Sequence, residues 1–228
     1  MKHAGKAQSA GLKIIFFAGV GLLLLLMVGF LANRVGSFLA GLTATLVVLW
    51  ILFTVFTLNF FRDPDAHPPD GKKLVLAPAH GTIDVLDEPD EPDFMGGRCK
   101  RISIFLSVFD VHVQKAPLTG KLVYHKHQDG QYLSATRRDC GTFNENVLLG
   151  LIPDEAPAQK VGVRLIAGLI ARRINVWAAA GEKITRGERI SLVQFGSRGD
   201  VYLPMTAKLN CKLGDKVVGG ETILAMLE

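Results

Sequence analysis

The segment GEKITRGERISLVQFGSRGDVYLP, Gly181 to Pro204, carries the clearest signature of β structure in the chain. Within it "RISLVQF" and "DVYLP" are short runs of β-branched, aliphatic and aromatic residues divided by glycine and charged turn residues, a pattern of strands rather than helices. Its opening decamer, GEKITRGERI (181–190), returns 33 residues later as GDKVVGGETI (214–223), with five of the ten positions identical. Glu182/Asp215 and Ile184/Val217 are conservative pairs. Each copy reads as a strand, a glycine turn and a second strand.

Working outward, "KLVLAP", "GTIDVLD", "KRISIFLSV", "VHVQKAP", "GKLVYH", "GQYLSA", "VGVRLIAGLIARRINVW" and "ETILAML" share that character and carry few helix caps. Residues 76–228 are therefore expected to form a mainly β (α+β) domain, with one short helix near "SVFDVHV" or "ENVLLGLI". Two echoed units side by side predict a β-sandwich or flattened barrel with approximate two-fold symmetry, as in lipoyl and biotinyl carrier domains. The competing reading is that the decamer is a common hairpin formula.

The other end of the chain is different in kind. No Asp or Glu precedes Asp63, and Ile14–Ala32 and Gly36–Leu58 are uncharged runs of 19 and 23 residues. Each matches the roughly 20 helical residues that cross a bilayer. Residues 1–61 are expected to form a membrane hairpin with spans at 14–32 and 36–58, followed by a polar linker over 62–75. Lys2, Lys6 and Lys13 before the hairpin and Arg62 after it outweigh the single Arg34 in the turn, which puts both ends on the cytoplasmic face of the cell (inner) membrane. A cleaved signal peptide is disfavoured by the second span and by the lack of an A-x-A-like exit. A shallower interfacial hairpin stays open, since Gly19, Gly21, Gly29, Gly36 and Gly41 weaken ideal helices.

The net charge of +5 is concentrated early: four of the 26 basic residues and none of the 21 acids lie before residue 62, leaving +1 for the remainder. A nucleic-acid-binding surface is not indicated. "RCKR" (98–101) and "ARR" (171–173) read as solvated charge or as contacts for anionic headgroups. Cys99, Cys140 and Cys211 lack C-x-x-C spacing and fit reduced thiols. His125 and His127 alternate on a strand, but with no further ligands nearby they read as an exposed hairpin ending at Asp129-Gly130, so no metal site is expected. "DEPDEPDF" reads as a proline-stiffened solvated loop.

The pair Gly196-Ser197 carries chemistry. Lacking a Cβ, Gly196 reaches conformations closed to other residues, which lets the Ser197 hydroxyl turn onto the preceding carbonyl. An N-to-O acyl shift there gives an ester; β-elimination then cuts the chain, and the dehydroalanine left at the new terminus hydrolyses to a pyruvoyl group with loss of ammonia. An alcohol attacks only while a base takes its proton, and His112 in "SVFDVHVQKAP" is the candidate. The bland readings are a turn glycine before a serine and a core histidine.

Taken together, FFRDP (60–64), PAHGTI (78–83), SVFDVHVQKAP (107–117), ENV (145–147), IAGLIARRI (166–174) and GERISLVQFGSRGDVYLP (187–204) resemble the short prokaryotic form of the phosphatidylserine decarboxylase family over about three quarters of the chain. The resemblance implies a proenzyme that cleaves itself at Gly196-Ser197 into a large chain, 1–196, and a small chain, 197–228. It implies a pyruvoyl cofactor made from Ser197, a Schiff base with phosphatidylserine, and release of carbon dioxide and phosphatidylethanolamine. His112 would be the base, membrane lipids and the two self-derived chains the partners, and a homodimer an open option.

One position departs from the family. Its motif reads Pro-Ala-Asp-Gly, in which the aspartate orients and charges the catalytic histidine; here His80 stands in that place, and a neutral imidazole brings no negative charge. Asp84 and Asp110 are nearby candidates to replace it. His80 can mark an inactivated precursor, a slowly maturing variant or a working His–His pair. The rival class is a membrane-tethered, non-catalytic barrel-sandwich module for carrying or lipid binding. Restoring the acid by His80→Asp should increase self-cleavage, followed on a denaturing gel; equal cleavage before and after the change removes the missing acid as an explanation.

Overall fold

The computed structural model describes residues 5–31, 37–137, 140–169, 173–194 and 197–228. They divide into two units, residues 5–63 and 64–228.

The first unit is a pair of apolar helices, α1 (Lys6–Leu31) and α2 (Ser37–Phe60), each long and apolar enough to cross a membrane. The turn between them lies outside the described residues. Two of the glycines serve the contact between the helices: a Cβ on Gly19 would sit 3.5 Å from the Trp50 ring and one on Gly29 3.3 Å from Thr43 Oγ1. Small residues let helix backbones approach where no hydrophobic effect drives them together. Phe17, Leu23, Phe30 and Leu52 remain exposed, an apolar surface unsuited to water.

The second unit is mainly β. Its strands run in chain order as β1 (Leu74–Leu76), β2 (Gly81–Asp87), β3 (Asp90–Glu91), β4 (Gly97–Arg98), β5 (Lys100–Leu106), β6 (Val113–Lys115) and β7 (Gly120–Gln128). After the short helix α3 (Cys140–Phe143) come β8 (Asn146–Pro153), β9 (Val161–Ala167), β10 (Ile174–Val176), β11 (Lys183–Ile184) and β12 (Arg189–Val193). Last are β13 (Ser197–Leu203), β14 (Lys208–Leu209), β15 (Lys216–Val217) and β16 (Ile223–Met226). Eight strands form one sheet in the order β11-β7-β8-β9-β13-β5-β2-β15, and two smaller sheets run β1-β16-β14 and β10-β12-β6.

Strand alternation explains the core. Val201 and Leu203 of β13, Ile102 and Ile104 of β5, and Val163 and Leu165 of β9 face inward, where they cluster with Val75, Ile190 and Leu224 of the smaller sheets. On the opposite face of the large sheet, Phe94, Cys99, Leu148 and Tyr202 form a second, smaller cluster. Gly150 admits it, because a Cβ there would fall 2.5 Å from the Phe94 ring.

The echoed decamers occupy corresponding places. β11 and β15 are the two edges of the eight-stranded sheet, while β12 and β16 are the middle strands of the smaller sheets. Gly187 N–H donates to the Ala116 carbonyl (2.9 Å) and Gly220 N–H to the Ala77 carbonyl (2.7 Å). Lys115 N–H donates to Pro78 and Leu76 N–H to Pro117, so two Ala-Pro-x-x-Gly stretches, 77–81 and 116–120, also answer one another.

Several sequence expectations are corrected. The short helix is α3; "SVFDVHV" holds a turn and β6, and "NVLLGLIP" is β8. β7 and β8 are antiparallel neighbours joined by residues 129–145, not by a tight turn at Asp129-Gly130. "DEPDEPDF" is not wholly solvated, since Glu91 is buried and accepts from Phe94 N–H and Met95 N–H, both at 2.8 Å. Most of the expected linker is fastened to the β unit. Arg189 Nη2 meets Asp65 Oδ1 at 2.8 Å, Lys115 Nζ donates to the Pro64 carbonyl, and Arg186 donates to the Pro69 and Gly71 carbonyls.

The hydrogen bond and charge of Arg189 hold the Asp65 carboxyl below the ordinary carboxylate range. A depressed carboxylate contributes stability that is present above its unfolded pKa and lost as pH falls through the folded one. Amide exchange over residues 64–73, referenced to intrinsic rates, should therefore be steady from pH 5 to 8 and rise as pH falls toward 3. Asp65→Asn should show the raised exchange already at pH 7; equal exchange in the two proteins at pH 7 would mean that the ion pair is not the fastener.

Candidate active site

Ser197 is the first residue of β13, and β13 is paired along its length on both sides. Ser197 lies opposite Leu106 of β5 and Ala167 of β9. All three are at most 1% exposed. Alternation puts Ser197 on the inward face with Gly199, Val201 and Leu203. Its Oγ is buried with no hydrogen-bond partner among the described residues. The other half of the expected scissile bond, Gly196, lies outside the described residues. The stretch read as a loop, Ser197–Asp200, is strand, and the "RGD" tripeptide is buried rather than displayed.

His112 immediately precedes β6, in a different sheet from Ser197. Its carbonyl accepts from Val193 N–H at 3.4 Å, at the close of β12 and four positions before Ser197. The residue is fully buried, and Nδ1 lies 2.9 Å from the Asp110 backbone carbonyl. A carbonyl only accepts, so Nδ1 carries a proton; in the neutral ring that leaves the lone pair on Nε2, the tautomer that a base requires. The orienting group at Nδ1 is a main-chain oxygen rather than a carboxylate.

His80 immediately precedes β2. Its neighbour Ala79 packs on β13, its Cβ 3.8 Å from where a Gly199 Cβ would lie, and Thr82 and Arg198 flank Phe105 from either side. Gly81 is required at the start of β2: its φ is +154°, and a Cβ would fall 2.2 Å from the Phe105 carbonyl oxygen. Both acids suggested as replacements have other partners. Asp84 is held by both terminal nitrogens of Arg198 at 2.6 Å, and Asp110 Oδ2 accepts from Ser107 N–H at 2.8 Å.

The outer face of β13 carries charge that sequence reading missed. Asp200 is buried opposite Arg164 and Ser103, Tyr202 opposite Arg101, and Arg198 opposite Phe105 and Ile166. Burial pushes the Asp200 carboxyl upward, against the hydrogen bond from Ser103 and the charges of Arg101, Arg198 and Arg164. Arg101 in turn holds Asp87 through two hydrogen bonds of 2.8 and 2.6 Å. The only sequence signal for this array was polar residues at alternate positions of a run otherwise read as a turn.

Other candidates fall away from the site. Burial pushes the Cys99 and Cys211 thiols up to about 11, which makes them poor nucleophiles near neutral pH. His127 Nε2 lies 3.1 Å from Glu145 Oε1, and Tyr132 donates to Glu145 Oε2. Among the described residues no three His, Cys, Asp or Glu side chains gather as metal ligands.

A mainly β protein with a buried serine opening a core strand and a buried histidine held by a main-chain carbonyl holds a hydroxyl and an imidazole, the side chains of nucleophilic and general-base chemistry. Comparison with known proteins makes the class particular. The phosphatidylserine decarboxylase family matches residues 53–225, and the chain belongs to that family. It is 40% identical to the phosphatidylserine decarboxylase proenzyme of Symbiobacterium thermophilum over 199 residues, covering 85% of this chain and 92% of that protein. The proenzyme of Geobacter metallireducens is 40% identical over 93% of both chains, and that of Syntrophus aciditrophicus 36% identical over 98% of this chain and 99% of its own.

The contact at Nδ1 separates two roles for Asp110. Asp110→Asn keeps both the main-chain carbonyl and a side-chain oxygen able to accept from Ser107, so self-cleavage should stay within about threefold of the parent. A loss of tenfold or more in a time course on denaturing gels would mean that the carboxylate charge itself supports the imidazole.

Proposed function

We propose that this chain matures by breaking its own Gly196-Ser197 bond and then decarboxylates phosphatidylserine to phosphatidylethanolamine. The observation that carries the proposal is the Ser197 hydroxyl, shut away from water without a partner among the described residues and anchored between two strands at the edge of the core. An oxygen that makes no hydrogen bond is not occupied by the fold and is available to attack.

His112 is the base. Nδ1–H held by the Asp110 carbonyl fixes the ring and aims the Nε2 lone pair away from that contact. Proton removal from Ser197 leaves an imidazolium that a carbonyl dipole stabilises less than a carboxylate would, which supports slow maturation as the consequence of His80. The acyl shift transfers the Gly196 carbonyl to Ser197 Oγ, and elimination of that ester separates residues 1–196 from 197–228. A pyruvoyl group derived from Ser197 supplies an electron-withdrawing carbonyl that can condense with the amine of the substrate and accept the electrons left by carbon dioxide. Low polarity around Leu106 and Ala167 excludes water from that position and strengthens electrostatic contacts made there.

The two apolar helices serve as a membrane hairpin with both ends cytoplasmic, residues 62–75 leading into the catalytic domain at 76–228. That placement suits a two-tailed lipid, each methylene of which resists leaving the bilayer by roughly 0.8 kcal/mol. The matched glycine turns, φ +90° and +88° at Gly181 and Gly214 and +76° and +80° at Gly187 and Gly220, support a barrel-sandwich frame with approximate two-fold symmetry.

Incubating the purified chain in detergent with phosphatidylserine labelled at the serine carboxyl should release labelled carbon dioxide and yield a 32-residue fragment blocked to amino-terminal sequencing. Ser197→Ala should abolish both, and His112→Ala should slow cleavage by about a hundredfold or more. A full-length band that persists even with Asp at position 80 favours the non-catalytic carrier or lipid-binding module, and decarboxylation by an uncut chain would exclude the proposed mechanism.

A further inference from the structure

The residue that follows Ser197 is held more tightly than strand pairing demands. The Arg198 side chain is 1% exposed on the outer face of the large sheet. Nη1 donates to Asp84 Oδ1 at 2.6 Å and to Ser103 Oγ at 2.7 Å. Nη2 donates to Asp84 Oδ2 at 2.6 Å and to the Ala135 carbonyl at 2.9 Å, and Nε donates to that same carbonyl at 3.3 Å. A guanidinium has five N–H groups, and all five are engaged. Ser103 Oγ continues the network by donating to Asp200 Oδ1.

Three features separate this array from ordinary stabilisation. Consecutive Cα atoms are about 3.8 Å apart, so a planar fork locked at residue 198 limits how far residue 197 can shift. The acceptors come from β2, β5 and the segment before α3, so Arg198 is fixed from three directions. All of them precede residue 196. Once the chain is cut, residue 197 becomes a terminus, and strand termini fray unless tied down.

We propose that Arg198 and Asp84 are positioning residues for residue 197: they hold the Ser197 hydroxyl in register for attack and afterwards keep the new terminus, with the carbonyl it bears, at the same place. This inference rests on the function proposed above. It gives Asp84 a role different from the one its nearness to His80 suggested, since it acts through Arg198 and not through His112.

The test compares Asp84→Asn and Ser103→Ala with a control, Asp65→Asn, which removes the carboxylate from another buried arginine, Arg189, in a strand other than β13. Each is made in the full chain with His and with Asp at position 80. A 1 Å misplacement of reacting groups costs on the order of a hundredfold. Asp84→Asn should therefore lengthen the cleavage half-time roughly tenfold to a hundredfold, and the cleaved enzyme should lose kcat by a similar factor with KM within about twofold. Ser103→Ala, which removes one hydrogen bond of five and is the milder variant should Asp84→Asn fail to fold, should slow cleavage severalfold. Asp65→Asn should leave cleavage and kcat within about twofold of the parent. Cleavage within twofold of the parent in both Ser103→Ala and folded Asp84→Asn overturns the inference, as does equal slowing in Asp65→Asn, which would mark a general effect of stability. A parent that cleaves with neither residue at position 80 overturns the functional reading and this inference with it.

Discussion

The Ser197 hydroxyl is buried without a hydrogen-bond partner among the described residues, and much of the surrounding architecture follows from keeping it there. Leaving such a group unsatisfied costs about 1–3 kcal/mol, and a flexible segment would relieve that cost by turning the serine toward water. Here it cannot turn. Ser197 opens a strand whose backbone is paired with Leu106 on one side and Ala167 on the other. The ladder keeps the oxygen beside the apolar core, and the buried guanidinium of the next residue holds the strand from the opposite face.

The period of two along β13 lets these incompatible demands coexist. Ser197, Gly199, Val201 and Leu203 face the core, while Arg198, Asp200 and Tyr202 face a layer of charge. Buried charges are tolerable only when paired and hydrogen-bonded, and removing one partner of such a pair typically costs about 3–5 kcal/mol. That penalty makes the outer face rigid in a way that a layer of leucines would not be. Orientation at His112 has a different origin: a main-chain carbonyl fixes the ring without adding charge, which preserves geometry while giving up part of the electrostatic help an aspartate would bring.

Much of this was legible in the sequence because it rests on local rules. Uncharged runs and early lysines mark two apolar helices, and each repeated Gly-acid-Lys decamer does open two short strands, although these pair in different sheets rather than with each other as a hairpin. Gly196-Ser197 and His112 stand out in the sequence as chemistry-bearing residues, and the structure buries both Ser197 and His112. What stayed hidden is long-range. "SRGD" reads as a turn because glycine and charged residues favour turns, yet tertiary pairing on both sides makes it strand. Nothing in the spacing of Asp84, Ser103, Ala135 and Arg198 announces that they meet, since separations of 63 to 114 residues are closed by sheet order alone. Asp84 illustrates the same limit: it is near His80 in sequence, yet both its oxygens accept from an arginine two strands away.

Sheet order also explains why a protein of this shape can lose a peptide bond without losing its fold. Residues 197–228 contribute β13, β14, β15 and β16. β13 pairs with β5 and β9, β15 with β2, and β16 with β1, so three of the four strands are held by partners on the other side of position 196. Leu203, Val217 and Leu224 are buried in the same core as Ile104 and Leu149. Cutting before Ser197 would remove one covalent connection and none of these ladders. The entropy released at the break would be confined to a terminus already fixed by five hydrogen bonds at its second residue. A strand paired on both sides is thus suited to carrying a group made by scission, because the interactions that locate it do not pass through the bond that is broken.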